Sequence, residues 1–571
     1  MQGHLVRPHG EVLVDLVVAA DRADELRKLA LDQPSWVLTP RQLCDLELLG
    51  TGAFSPLRGF LGSADHAAVC AGMRLASGEL WPVPITFDVP AEFAATVVVG
   101  SDLALRDPEG VLRGVLHVDE VYAPDRTAEA LAVYGTADPA HPGVAHLLDP
   151  AAGHCLAGIL DVVALPEHYD NRELRHTPAQ LRAEFARRGL GRVVAFGTRN
   201  PMHRAHVELA ARAAEQSGGS LLLHPVVGVT APGDVDHYTR VRCYEAVLPA
   251  LAGTSPMLSL LPLAMRMAGP REAVLHAIVR QNYGCTHFAV GRDHAGAGGY
   301  YAPYAAQHLL ASVAGELDIE ILPFGELVYS PGRDQYVPAG ELGPGDGPAW
   351  SISGTEQRRR LANGDPLPAW FTLPEVAAEL RRAYPPRSEQ GFTILLTGLS
   401  GAGKSTVANV LKIKLLEFGG RKVTLLDGDL VRHHLSSELG FSREHRDLNV
   451  RRVGFVASEI AKNGGVAVCA MIAPYDAPRR EVRRMATDSG GFLLVHVSTG
   501  VDVCEQRDRK GLYAKARAGL LPGFTGISDP YETPEDADLS IDTGEHSAEA
   551  AADLIVARLR ADGYLTGRGH D

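Results

Sequence analysis

Between residues 193 and 197 the chain reads Val-Val-Ala-Phe-Gly, a short apolar run closed by a glycine. Such a run predicts a strand buried on both faces. Just upstream, Thr177 and Pro178 supply an N-cap and a first helical residue, and AQLRAEFARR predicts a helix that stops at Gly189. The runs LLLHPVVG, THFAVG and IEILPFG repeat the strand pattern, with helical stretches between them. This alternation over residues 167–330 predicts a parallel sheet covered on both faces. A second α/β pattern starts at FTILLTG and fills 386–571. Residues 1–166 differ: runs such as LWPVPITFDV and ATVVVGSDLAL, punctuated by Gly, Pro and Asp, predict a mostly β domain with a few helices. Residues 331–385 form a small segment with a helix start at Ser353, and AYPPRSEQG has the proline-rich polar character of a linker.

At 571 residues the chain is too long for one core, and two to four domains are expected. With 46% hydrophobic and 22% charged residues it reads as an ordinary globular protein. No apolar run reaches membrane-spanning length and MQGHLVRPHGEV lacks a signal-peptide layout, so no membrane partner and a cytoplasmic location are expected. The seven cysteines include no CxxC pair and are expected to be reduced. The net charge of −14 argues against nucleic-acid binding. An anionic substrate would need local arginines, lysines and helix N-termini to hold it.

One motif names chemistry by itself. Gly398, Ser400, Gly401, Ala402, Gly403, Lys404, Ser405 and Thr406 belong to GLSGAGKST, a phosphate loop set between a predicted strand and a predicted helix. Glycines let successive N–H groups curl around phosphate oxygens, and the helix N-terminus adds positive charge. Lys404 would neutralise the β/γ-phosphates of ATP, with Ser405 a ligand of its Mg²⁺. The next strand ends in LLDGD, so Asp427 and Asp429 stand at a carboxyl strand end. They would hold Mg²⁺ through water or orient an acceptor hydroxyl; a solvated turn is the plainer alternative.

The second candidate is TRNPMHRAH, after the strand at 193–197. His203 and His206, three apart, share a helix face, and with Arg199 they would gather phosphate oxygens and stabilise a departing pyrophosphate. A partial metal site and simple surface residues are equally open on spacing alone. In ISGTEQRRR, Ser353 and Glu356 have capping-box spacing; the same helix start, with Arg358, would alternatively approach a triphosphate.

Wider motifs add a resemblance. DLVRHHL, GFSREHRDLNVRRVG, MIAPYD, CEQRDRKGLYAKARAG and LPGFTGISDPYE make residues 390–571 similar to adenosine 5′-phosphosulfate (APS) kinases. TRNPMHRAH, HPVVGVTAPGD, LPLAMRMAGPREA, VGRDHAG and ISGTEQRRRL, with TPRQLCDLELLGTGAFSPLRGFLG upstream, make residues 1–385 resemble ATP sulfurylases of the HxGH nucleotidylyltransferase superfamily. The resemblance implies a Rossmann-like nucleotidylyltransferase domain at 167–330 and a P-loop kinase domain at 386–571. It implies active-site roles for Thr198, Arg199 and Asn200, and places His203 and His206 on the ATP phosphates. Gly291, Arg292, Asp293, His294 and Val328 would contact ATP, with Arg292 also catalytic, and Arg199 and the Ala295 backbone would hold sulfate. In the kinase part Asp429, Arg432, Phe441, Arg446, Asn449, Ile472, Lys510 and Phe524 would bind APS, with Lys404 and Asp429 catalytic. The implied activity is sulfate activation: ATP and sulfate give APS and pyrophosphate, and a second ATP phosphorylates the APS 3′-hydroxyl. ATP, sulfate and APS are the implied partners, Mg²⁺ the cofactor, and a homo-oligomer the assembly.

Two departures bear on this expectation. Ala473 stands where many such kinases carry a phosphorylatable serine. Gly197 stands where sulfurylases typically carry a sulfate-binding glutamine, so a restored glutamine is expected to lower the sulfate KM. Two alternatives remain: a sulfurylase with a kinase-like allosteric domain, or a kinase fused to a sulfurylase of altered oxyanion specificity.

Overall fold

The computed structural model describes residues 5–231, 233–508 and 510–566; Pro232 and Arg509, which stand in motifs named above, lie outside them. The chain forms two compact units, one of residues 1–352 with 368–379, the other of 353–367 with 380–571.

The first unit opens with strands β1 (Ser35–Val37), β2 (Gly59–Phe60), β3 (Phe87–Val89), β4 (Asp102–Arg106), β5 (Leu112–Tyr122) and β6 (His154–Val162). They form one sheet in the order β1-β4-β5-β6-β2, with β3 also on β6. All pairs are antiparallel except β1 with β4. The apolar runs are only partly strand: in LWPVPITFDV the sheet takes Phe87–Val89 alone. Pro82 and Pro84 lack the N–H that a ladder needs. In ATVVVGSDLAL, Val98 and Val99 stand exposed in a turn while Leu103, Ala104 and Leu105 are buried.

Next come β7 (Val193–Phe196), β8 (Ser220–Leu223), β9 (Met257–Leu258), β10 (His287–Val290) and β11 (Glu320–Pro323), all parallel, in the order β11-β10-β7-β8-β9. The expected helix is Pro178–Arg188, capped by Thr177 with Gln180 completing the box and ended by Gly189 at φ 69°. The chain order reverses between β7 and β10, so their carboxyl ends flank a topological switch point, where open α/β sheets bind ligands. A two-stranded antiparallel hairpin, β12 (Leu327–Ser330) and β13 (Gln335–Pro338), follows.

The second unit holds β14 (Phe392–Thr397), β15 (Val423–Asp427), β16 (Val466–Ala470), β17 (Gly491–Val497) and β18 (Leu539–Ile541), parallel in the order β15-β16-β14-β17-β18. β14 is wholly buried at the centre, so the loop after it opens mid-sheet. Among the described residues no helix is long and apolar enough to cross a membrane. All seven cysteines are free.

Candidate active sites

In the first unit the residues after β7 and β10 emerge side by side, because Phe196 pairs with Ala289. Thr198 Oγ1 accepts from the Asn200 N–H at 3.1 Å, tightening the turn. The Arg199 guanidinium donates to both Asp234 carboxylate oxygens (2.8 and 2.6 Å) and to the Gly296 carbonyl (3.4 Å). One side chain thereby ties the turn at 198–200 to the loop at 291–296. Ala295, in that loop, has φ 56°. Arg292 pairs with Asp293 and Glu326, both at 2.7 Å.

His203 caps the helix Arg204–Ser217, and its backbone N–H donates to His206 Nδ1 at 3.2 Å. That bond leaves the His206 proton on Nε2, and burial pushes the ring down to about 4. His206 is therefore a neutral donor at pH 7. The His203 ring stacks on Phe371, centroids 4.3 Å apart. His294 Nε2 meets His276 Nδ1 at 3.0 Å, and burial lowers His294 to about 3. Val328 lies on the β12–β13 hairpin, which Arg212 of the His203 helix ties down through the Tyr336 carbonyl at 2.9 Å. Among the described residues no group of three His, Cys, Asp or Glu is placed to hold a metal.

In the second unit the loop after β14 carries Gly398, Gly401 and Gly403 at φ 152°, 77° and 93°. Lys404 opens the helix Lys404–Phe418, is 8% exposed, and donates from Nζ to the Leu399 carbonyl at 2.7 Å. Burial pushes Lys404 down to about 8. Ser405 Oγ donates to Asp427 Oδ2 at 2.6 Å. Gly398 and Ala402 are buried beneath the loop rather than facing the cavity.

That cavity, about 920 Å³, brings the remaining predicted residues together. Ser400, Gly401, Gly403, Lys404, Ser405 and Thr406 form one wall. Asp429, Arg432, Phe441, Arg446, Asn449, Ile472, Lys510 and Phe524 all line it as well. Asp429 pairs with Lys510. The Arg432 guanidinium lies 4.3 Å from the Phe441 ring centroid, and Phe441 is 67% exposed. Phe524 is buried edge-on to Tyr513, 5.0 Å between centroids. Arg446 donates to Asp529 at 3.1 Å and to the Phe441 carbonyl at 2.8 Å. Asn449, which lines the cavity, has its Oδ1 buried with no hydrogen-bond partner among the described residues.

The chain is 48% identical to a sulfate adenylyltransferase from Phaeosphaeria nodorum over 98% of its own length and 99% of that protein. It belongs to the sulfate adenylyltransferase family. A second member, from Mycosarcoma maydis, is also 48% identical, again with 98% and 99% covered. The ATP-sulfurylase family pattern matches residues 172–383, adenylylsulphate kinase 390–542, and a PUA-like domain 6–165. Among solved structures the hexameric APS kinase from Thiobacillus denitrificans superposes with a TM-score of 0.82 at 38% identity, covering 99% of this chain and 100% of that one. The chain is thus a bifunctional enzyme with a sulfurylase part and an APS kinase part.

Several side chains that hold the candidate sulfurylase site were not evident beforehand. Arg240, 2% exposed, donates from Nη1 to the carbonyls of Arg199 (3.0 Å) and Val226 (2.7 Å). One turn on, the Tyr244 hydroxyl donates to the Asn200 carbonyl at 3.0 Å. Both come from the helix His237–Val247, whose 240/244 spacing was the only local signal. Asp234 and Phe371 had none. Ser353 caps the helix Gly354–Asn363 through the Glu356 N–H at 3.1 Å, while the Glu356 carboxylate is taken by Arg359 and Arg360 at 2.7 and 2.8 Å. Gly197 changes meaning. A Cβ built there meets Arg280 Nη2 at 2.5 Å, so a restored glutamine requires the buried guanidinium to shift.

Proposed function

We propose that the two sites act in sequence on sulfate: the first adenylylates it, and the second phosphorylates the product on its ribose 3′-hydroxyl. In the first step a sulfate oxygen bonds to the α-phosphorus of ATP, the α–β bridging bond breaks, and pyrophosphate leaves. Sulfate has no proton to give up, so the site needs charge and alignment rather than a base. Arg199, held between Asp234 and Gly296, supports the first requirement, and neutral His206 offers an Nε2–H to a phosphate oxygen.

In the second step the 3′-oxygen bonds to the γ-phosphorus of another ATP, ADP leaves, and the hydroxyl proton passes to Asp429. Ser405 and Asp427 set two hard oxygen donors 2.6 Å apart at the start of the loop helix, a fit to the Mg²⁺ that accompanies ATP. When bound, that ion neutralises phosphate charge. Asp429, paired with Lys510 rather than Ser405, is left for the acceptor side.

The observation that carries this reading is the single cavity shared by the phosphate loop and the arginine-rich acceptor wall. The intact Lys404 also favours turnover over a purely regulatory nucleotide site, since a sensor has no use for a γ-phosphate lysine. The full chain supplied with APS and MgATP should yield the 3′-phosphorylated nucleotide; binding without turnover would favour the regulatory alternative. With ATP, Mg²⁺ and sulfate it should release pyrophosphate. A homo-oligomer working in the cytoplasm fits this reading, and the hexameric state named for the Thiobacillus structure supports the assembly.

A further inference from the structure

The glycine at 197 is not there for its backbone. Its φ lies outside the left-handed region, and the one thing a Cβ would strike is Arg280, with Nη2 at 2.5 Å, Cζ at 3.1 Å and Nε at 3.3 Å. Arg280 belongs to the helix Pro270–Asn282 and is 0% exposed. Its Nη1 donates to the His276 carbonyl (3.1 Å) and its Nη2 to the His224 carbonyl (3.2 Å), while Nε is buried with no acceptor. The guanidinium faces the Phe288 ring at 5.0 Å. It therefore sits against the carboxyl ends of β7 and β8, where the turn that carries Arg199 begins.

No carboxylate answers this charge among the described residues. Glu272, whose charge reaches Arg280 without an ion pair, is occupied by the N–H groups of Arg266 (2.7 Å) and Ala268 (3.0 Å). The rings around Arg280 are neutral: burial and the Arg280 charge together hold His224, His276 and His294 below the usual histidine range. Burial lowers Arg280 itself only to about 10, which leaves it a cation at working pH. A desolvated cation without a counter-ion is costly in a resting protein and is relieved when an anion arrives nearby.

From this geometry we propose that Arg280 is the buried cation of the oxyanion subsite, and that Gly197 is glycine so that the guanidinium can reach the floor of that subsite. The inference rests on the sulfurylase reading of the site and deepens it. Arg280 acts through the floor formed by residue 197 rather than by contact, so its effect scales with the charge of the anion. It selects doubly charged tetrahedral oxyanions over singly charged ones.

The test uses the full-length protein and pyrophosphate release. Sulfate, a dianion, is the substrate, and chlorate, a monoanion, is the competitor against it. Arg280→Met is expected to raise the sulfate KM about 30-fold and the chlorate Ki only about 5-fold, since the Coulomb term is proportional to charge. The KM for ATP should change less than 3-fold, and Arg280→Lys should restore the sulfate-to-chlorate ratio. Gly197→Ala should raise the sulfate KM about 10-fold, yet less than 2-fold when Arg280 is already methionine. Equal losses for sulfate and chlorate, or additive effects of the two substitutions, would overturn the proposal. Should Arg280→Met fail to accumulate as folded protein, Gly197→Ala carries the test through the same ratio. A wild-type protein that releases no pyrophosphate with sulfate strikes the reading of the site itself instead.

Discussion

Replacing Arg240 by methionine removes two charged hydrogen bonds from the floor of the sulfurylase site while keeping most of the side-chain volume. The bonds hold the Arg199 and Val226 carbonyls at 3.0 and 2.7 Å, and Arg240 is 2% exposed. Hydrogen bonds to charged groups are each worth about 1.5–3 kcal/mol, and part of that is returned because the buried charge is removed as well. A net loss of about 2–3 kcal/mol in positioning Arg199 corresponds to a fall of about 30–150-fold in kcat/KM for pyrophosphate release. The kinase reaction of the same polypeptide, assayed with supplied APS, belongs to the other unit and should stay within 2-fold. Wild-type kcat/KM for sulfate adenylylation in the Arg240→Met protein would refute the claim that the helix His237–Val247 sets the geometry of the Arg199 turn. An equal fall in both activities would point to general misfolding and refute it too.

Three shorter tests follow. Phe371→Ala removes the ring stacked at 4.3 Å on His203 and should raise the sulfurylase KM for ATP about 3–10-fold with kinase activity unchanged, read by initial rates. Asp45 and Arg266 form a two-bond ion pair (2.6 and 2.7 Å) with side chains 1% and 3% exposed; Asp45→Asn should destabilise the first unit by about 3–5 kcal/mol in urea unfolding. Burial lowers Lys404 from 10.5 to about 8, so the native state binds fewer protons than the unfolded state between those values. This group therefore adds stability as pH rises from about 8 to 10.5 and opposes folding below 8. MgATP, by adding negative charge, should reverse the shift, so calorimetry near pH 8.5 should show proton uptake on binding that Lys404→Met abolishes.

The kinase site was the more legible of the two because its phosphate-handling parts are contiguous. GLSGAGKST needs only a strand before it and a helix after it, and both Phe392–Thr397 and Lys404–Phe418 are present. Asp427 was expected at a carboxyl strand end, and its bond to Ser405 appears only once β15 is placed in the sheet. The candidate sulfurylase site is assembled from distant segments, and buried arginines hold its backbone. Arg240 and Arg280 look like any arginine on an amphipathic helix until the sheet brings them under the β7 and β8 ends. Gly197 shows the limit most clearly. Read alone, it is a missing donor; in three dimensions it is the space a guanidinium uses. The N-terminal sheet was legible as β, but exposed Val98 and Val99 show that a β-branched run without a partner strand makes no ladder.

Isotope tracing shows whether one polypeptide breaks ATP at two different places. Full-length protein is given sulfate, Mg²⁺ and ATP labelled either at the α- or at the γ-phosphorus, and the nucleotide products are separated and counted. Both labels should reach the final product, the α label at its 5′-phosphate and the γ label at its 3′-phosphate. With Lys404→Met only the α label should enter product, as APS. A final product lacking the α label, or γ label incorporated undiminished by the Lys404→Met protein, would contradict cleavage at two places.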